Sequence, residues 1–185
     1  MSNFESGVWN GAVQQQIFRK LVTAMSSPGE IIMLGNETGR TAIAVLATLL
    51  DNTTALCDHD RTLDKSTLGF LQARPTSCEQ ADYILADACN APGRDFVVCL
   101  GELAAPEGGA TLILEGARLG SGDLTLEISG PGVFGTRRIE LAGFHLHWFE
   151  RRAEWVSDFP LGVDLIMVDA ESLVCVPRST VLSWT

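Results

Sequence analysis

The stretch Phe159-Pro160-Leu161-Gly162-Val163-Asp164-Leu165-Ile166-Met167 is followed, after a short segment, by Val176-Pro177-Arg178-Ser179-Thr180. Apart from Asp164, residues 163–168 and 173–176 are apolar and predict two strands, and the polar Asp169-Ala170-Glu171-Ser172 between them predicts a hairpin connection. Asp164 and Arg178 therefore stand at opposite ends of one hairpin. Because an isolated buried charge is costly, we expect the two side chains to lie near each other.

The register of this hairpin has two alternatives. A four-residue loop places Asp164 opposite Pro177, and a three-residue loop places it directly opposite Arg178 on the same face. The structural interpretation is a bidentate Asp-Arg pair that fixes the hairpin. The functional interpretation is an anion-binding arginine at the edge of a pocket.

Composition limits the class of protein. A chain of 185 residues that is 46% hydrophobic, without a linker of low complexity, predicts one domain over residues 1–185. The net charge of -10 argues against binding to nucleic acid or to anionic membranes. No apolar run approaches the roughly 20 residues that span a bilayer, and Met1 to Val8 does not read as a secretory signal. We therefore expect a cytoplasmic protein.

Three further expectations concern single residue types. The arginine doublets at 137–138 and 151–152 are expected to be solvated or at an interface, and Trp148 and Trp155 to be exposed aromatic residues of an interface. The five cysteines are odd in number and widely spaced, which predicts reduced core thiols rather than disulfides. The chain has two lysines, Lys20 and Lys65, and neither sequence context is typical of a Schiff-base lysine.

Periodicity predicts the order of the elements. Helices are expected over 13–25, 41–50 and 64–73, from Pro92 towards Leu100, and around 148–156. Strands are expected at 30–34, 54–57, 83–86, 111–114, 124–128 and around 139–141, with a turn at 120–123. Together they predict an α/β fold: a single domain with a mixed β-sheet flanked by helices.

Candidate motifs do not assemble into a catalytic set. Gly130-Pro131-Gly132-Val133-Phe134-Gly135 has the spacing of a dinucleotide-binding loop, but a strand follows it, so it predicts a hairpin turn. His145 and His147 could share a metal only on a strand, and their surroundings favour a helix. Asp58-His59-Asp60 follows a predicted strand and is a better site candidate, although a solvated polar loop is the alternative. We therefore assign no catalytic, cofactor-binding or metal-binding residues.

Several blocks, in order along the chain, resemble the PhnH family, a subunit family of the bacterial carbon-phosphorus lyase complex. The resemblance is carried by residues 18–22 with 24–29, 46–54, 109–114, 128–132, 159–167 and 176–180. It implies a reduced fold related to pyridoxal-phosphate-dependent transferases, without the cofactor, and a homodimer in isolation. It also implies assembly with the PhnG, PhnI and PhnJ subunits, in a complex that uses ATP to form a ribose 1-phosphonate 5-triphosphate from a phosphonate.

Two functions from different classes remain open. The first is a structural and interaction subunit of that complex, which has no turnover by itself. The second is an enzyme or small-molecule-binding protein in its own right, which takes a nucleotide or a phosphonate. The residues proposed to line a pocket or an interface are Arg19, Asp58, His59, Asp164, Pro177 and Arg178.

Overall fold

A computed structural model describes residues 7–35 and 39–185 of the chain. The α-helices are α1 (Gly11–Ser26), α2 (Thr41–Leu49), α3 (Lys65–Leu71) and α4 (His147–Trp155), with a short 3-10 helix at Cys78–Gln80. The strands are β1 (Ile32–Met33), β2 (Ala55–Asp58), β3 (Arg74–Pro75), β4 (Tyr83–Asp87), β5 (Leu100–Glu102), β6 (Ala105–Gly109), β7 (Thr111–Glu115), β8 (Arg118–Ser129), β9 (Arg137–Ala142), β10 (Asp164–Val168), β11 (Ser172–Val176) and β12 (Val181–Trp184).

The central layer is a seven-stranded mixed sheet in the order β1-β11-β10-β7-β4-β2-β3. The five strands from β10 to β3 run parallel to their neighbours, and β11 pairs antiparallel with both β10 and β1. Strands β8, β9 and β12 form a separate antiparallel sheet, and β5 pairs with β6 in a hairpin. The α/β class and the mixed sheet predicted from the sequence are therefore present.

The two faces of the central sheet are covered in different ways. On one face, α1, α2 and α3 pack their apolar residues against side chains such as Ile113 and Ile166. On the other face, the antiparallel sheet and α4 cover side chains such as Leu112 and Leu165. The alternation of neighbouring residues between the two cores follows from the two-residue period of a strand. Helices thus cover one face, whereas a second sheet and one helix share the other.

Helix α1 follows from its sequence pattern. Ile17, Leu21 and Ala24 are buried at helical spacing, and the side chain of Asn10 accepts a hydrogen bond from Ala12 N to begin the helix. No helix in the described residues has the length and apolar character needed to cross a membrane.

The final hairpin takes the four-residue connection. Leu165 pairs with Val176 and Val168 with Leu173, so Asp164 lies opposite Pro177. The carboxylate of Asp169 closes the turn, because its Oδ1 accepts hydrogen bonds from Glu171 N at 3.0 Å and Ser172 N at 2.8 Å. Burial alone would raise the pKa of Asp169, but the hydrogen bonds it accepts outweigh burial and lower that pKa.

Two predicted elements are wrong. Residues 91–99 contain no helix and lead into β5, because Gly93 and the polar residues after Pro92 form a turn there. Residues 120–123 do not form the turn between two strands. They lie inside the long strand β8, where the pairing with β9 shifts between Leu119 and Leu124 as at a β-bulge.

The predicted turn at 130–135 is confirmed. It joins β8 to β9, and Gly130, Gly132 and Gly135 have the positive φ angles that such a connection uses.

The prediction of five reduced thiols is also wrong. Cys57, on β2, and Cys78, in the 3-10 helix, form a disulfide with their Cα atoms 5.1 Å apart. Sequence spacing did not reveal the pair, because the parallel pairing of β2 with β3 and β4 brings the two segments together. Cys89, Cys99 and Cys175 are free thiols.

We expect thiol titration in denaturant without reductant to find three thiols per chain, and five after reduction. Reduction should lower the free energy of unfolding by about 3 kcal/mol, as expected for a bridge between cysteines 21 residues apart. The double variant Cys57→Ser/Cys78→Ser is the control, and its stability should not respond to reductant. Five thiols in the unreduced protein would contradict the bridge.

Candidate functional site

An ion pair joins the two ends of the final hairpin. Asp164 Oδ1 accepts a hydrogen bond from Arg178 N at 2.7 Å. Asp164 Oδ2 accepts from Arg178 Nε at 3.1 Å and from Arg178 Nη2 at 2.6 Å. The predicted ion pair is therefore present, in the register that places Asp164 opposite Pro177, but both guanidinium donors bind Oδ2 and not one oxygen each as in the expected bidentate pair. The side chains of Arg178 and Asp164 are 14% and 22% exposed, so water screens this pair less than a surface pair.

The guanidinium of Arg178 also binds the β5–β6 hairpin. Its Nη1 donates to Pro106 O at 2.6 Å, and its Nη2 lies 3.4 Å from Gly109 O. A Cβ atom at position 109 would lie 2.2 Å from Gly162 O and 2.7 Å from Arg178 Nη1, so a glycine is required there. Arg178, which follows the end of β11, thus connects that end to the start of β10 and to strand β6.

A second arginine, Arg152, lies beside this ion pair on α4. It is 1% exposed, and its Nη2 donates to Pro177 O at 2.7 Å and to Thr180 Oγ1 at 3.2 Å. Burial lowers the pKa of Arg152 to about 10, and the nearby charge of Asp164 opposes that effect. Arg152 therefore remains protonated at neutral pH.

The Asp58-His59-Asp60 segment lies at the carboxyl end of β2. Asp58 accepts hydrogen bonds from Thr62 N at 3.0 Å and Leu63 N at 2.8 Å, and Asp60 Oδ2 accepts from Asp87 N at 2.7 Å. Both carboxylates therefore hold the polar loop and the end of β4 in place.

The neighbouring strand end is occupied by an ion pair. Arg40, which precedes α2, donates to both carboxylate oxygens of Glu115 at the end of β7 and to Thr62 Oγ1 at 2.9 Å. The hydrogen bond to Glu115 raises the pKa of Arg40. At the end of β7, side chains of the protein thus fill the edge at which open α/β sheets commonly bind ligands, whereas Asp58 and His59 at the end of β2 border two open pockets.

His59 faces an open pocket of about 430 Å³. Its ring lies edge-on to Phe96 at 4.8 Å, and its Nδ1 is 3.8 Å from Cys78 Sγ. Because Cys78 is bonded to Cys57, its sulfur is not a free thiolate, and thiolate catalysis does not follow from this contact.

The six candidate residues do not share one pocket. Asp58 ends β2 and His59 follows it at the carboxyl edge of the sheet, whereas Asp164 begins β10, three strands away, or about 14 Å at the usual strand spacing. Pro177 and Arg178 lie with Asp164, and Arg19 is exposed on α1. Only Asp164, Pro177 and Arg178 are brought together.

An exposed apolar groove of about 300 Å³ runs beside α1. It is lined by Phe18 and Val22, which are 51% and 49% exposed, together with Met25 and residues at the starts of β4 and β7. Apolar surface of this kind is typical of a binding face.

Other reactive groups are placed unfavourably for catalysis. Burial raises the pKa of Cys175 to about 12. The pKa of Cys89 is also raised, mainly by burial and in second place by a hydrogen bond with Asp87. Lys20 donates to the backbone carbonyl of Met33, and Lys65 is exposed at the start of α3, so neither is placed as a Schiff-base lysine. Within residues 7–35 and 39–185, no group of three His, Cys, Asp or Glu side chains is arranged to hold a metal ion.

Comparison with known proteins identifies the family. Residues 7–183 match the family described as "Bacterial phosphonate metabolism protein (PhnH)". The chain belongs to the PhnH family. A relative from Stutzerimonas stutzeri, named "Putative C-P lyase subunit protein HtxG", is 36% identical over 173 residues, which cover 94% of this chain and 87% of the relative.

For this PhnH-family chain, the expected exposure was wrong for four side chains. Trp148 and Trp155 are 1% and 7% exposed, so they belong to the core rather than to an interface, and Arg152 is buried between them on the same face of α4. The spacing of residues 148, 152 and 155 indicated that they lie together, since residues three and four apart share a helix face. Arg137 is partly buried and donates to the carbonyls of Ser27 and Pro28.

We expect Asp164→Ala to lower the free energy of unfolding of this PhnH-family protein by about 2 to 3 kcal/mol, because it leaves Arg178 partly buried without its partner. Asp164→Asn should cost less, since its side-chain oxygen still accepts from Arg178 N. Urea denaturation measures both. Glu127→Ala is the matched control: it breaks an ion pair with Arg138, which is 76% exposed, and should cost less than about 1 kcal/mol. Equal losses in Asp164→Ala and Glu127→Ala would contradict the structural role of the pair.

Proposed function

We propose that this PhnH-family chain is a structural and interaction subunit of a carbon-phosphorus lyase complex for phosphonate catabolism. The observation that carries the proposal is the family match over residues 7–183, together with a relative whose printed name is that of a C-P lyase subunit. The structure supports a non-catalytic role, because the proposed site residues are divided between two edges of the sheet and Arg40 and Glu115 fill the space between strand ends.

The finer parts of this proposal follow from the family resemblance. In a cytoplasmic complex with PhnG, PhnI and PhnJ, the chain would support the ATP-dependent formation of a ribose 1-phosphonate 5-triphosphate, while other subunits carry the reacting groups. In isolation it would be a homodimer. Residues 1–185 would form one PhnH-like domain, a reduced pyridoxal-phosphate-dependent transferase fold that has lost the cofactor.

The groove beside α1 supports an interaction role. Phe18 and Val22 are half-exposed apolar side chains on a helix that packs its other face into the core. Exposure of two large apolar residues on one groove is unfavourable in water, and contact with another protein chain would remove it.

A second candidate function is ligand binding or catalysis by the chain alone. The pocket at His59, with Arg94 and Phe96 in its lining, is the observation that favours it. Under this alternative, the isolated protein binds a nucleotide or a phosphonate there without other subunits.

Native mass spectrometry of the tagged chain, co-expressed with PhnG, PhnI and PhnJ and also expressed alone, tests the subunit proposal. We expect a stable hetero-oligomer from co-expression, and a homodimer without nucleotide turnover from the chain alone. If the chain stays apart from every partner yet turns over nucleotide by itself, the subunit proposal is overturned and the second candidate takes its place.

A further inference from the structure

A pocket of about 310 Å³ opens between α4 and the segment that leads from β11 into β12. Arg152 lines it from α4, and Arg178, Ser179 and Thr180 line it from the connecting segment. Phe159 contributes an exposed ring. The described residues that line this pocket, here named the Arg152 pocket, include no aspartate or glutamate.

The guanidinium of Arg152 is the unusual feature of this pocket. The residue is 1% exposed, and its Nη2 contacts neutral oxygens of Pro177 and Thr180. Its Nε is buried and has no hydrogen-bond partner among the described residues. A buried cation that binds only neutral oxygens and retains an unpaired donor is costly, so a bound anion would stabilise it.

Among the charged side chains of the lining and Asp164, the ion-pair partner of Arg178, cations exceed anions by one. Arg152 and Arg178 are both cations, and Asp164 is the carboxylate whose charge acts on both. Asp164 already accepts the hydrogen bonds of Arg178, so it gives Arg152 only a longer-range attraction. In a chain with a net charge of -10, this local excess of positive charge stands out.

We propose that the Arg152 pocket binds a small tetrahedral oxyanion, the phosphate or phosphonate group of a ligand. A guanidinium presents several N–H donors in a fixed plane that fits the oxygens of such a group. The exposed hydroxyl of Ser179 at the same pocket supplies a further donor. The volume is at the lower end for ligand pockets, so it fits a small oxyanion or the charged end of a larger molecule.

This site belongs to the isolated chain and does not depend on assembly with other subunits. A chain that joins a complex without binding oxyanions contradicts only this inference. A chain that binds oxyanions without joining a complex contradicts only the proposed subunit function. The oxyanion-binding experiment and the co-expression experiment can therefore each give a negative result without affecting the other.

Isothermal titration calorimetry of the full chain, in a buffer without phosphate and at constant ionic strength, tests the inference. The probes are inorganic phosphate and methylphosphonate. We expect saturable binding of at least one probe with a dissociation constant of about 1 mM or tighter. Tighter binding of methylphosphonate would indicate a phosphonate ligand, and tighter binding of phosphate would indicate a phosphate ester. Either result supports an oxyanion site.

Two variants locate the binding. Ser179→Asp places a negative charge at the pocket from an exposed position and should weaken binding at least about tenfold. Thr136→Asp makes the same charge change at an exposed position in the turn between β8 and β9, and should leave binding unchanged. Arg152→Met should abolish binding, but it also removes hydrogen bonds to residues 177 and 180, so the Ser179 variant decides the test.

Three results would overturn the inference. The first is the absence of saturable heat with both probes. The second is unchanged affinity in Ser179→Asp, which would place the binding elsewhere. The third is an equal loss in Ser179→Asp and Thr136→Asp, which would reduce the effect to overall charge. Urea denaturation of each variant confirms that the compared proteins are folded.

Discussion

The pairing of Asp164 with Arg178 is the interaction on which the amino edge of the sheet depends. Asp164 begins β10, and Arg178 follows β11, so the pair fixes the ends of the two strands that turn the parallel sheet antiparallel. The same guanidinium reaches Pro106 O, which ties the β5–β6 hairpin to the sheet. One side chain thus connects segments separated by 72 residues. The position of Arg178 also fixes the path of residues 177–180, which supply the oxygens that accept hydrogen bonds from Arg152.

Arginine serves a common purpose across this acidic protein. Arg137, Arg151, Arg152 and Arg178 each donate to backbone carbonyls from distant segments. Carbonyls outside regular ladders must find donors when they are buried, and the long, forked guanidinium can reach several of them. Four of the eleven arginines are therefore used inside the fold as cross-links.

Local sequence patterns predicted most helices and strands, but they did not predict contacts between segments that are distant in the chain. The helix over 13–25 and the final hairpin follow from periodicity and turn residues within a short window, and the structure has both. The ion pair of Asp164 and Arg178 was predictable because its partners lie on one hairpin. The Cys57–Cys78 bridge and the burial of Arg137 were not, because each depends on how separate segments pack. Arg152 was an intermediate case, since helical spacing put it on an apolar face but not inside a core.

The carboxyl and amino edges of the sheet differ in whether a cation is left free to bind an anion. At the carboxyl edge, Arg40 binds Glu115 and the side chain of Thr62, so its charge is paired, although the neighbouring hydroxyl of Thr41 has no partner among the described residues. At the amino edge, one carboxylate is shared by two arginines, and the Nε of Arg152 is left without a partner in the described structure. A cation without an ion-pair partner gains most from a bound anion, because a satisfied ion pair must be broken before its cation can bind one. By that criterion, the oxyanion site that we propose lies beside the loop that Asp164 and Arg178 hold in place, and not at the usual carboxyl edge.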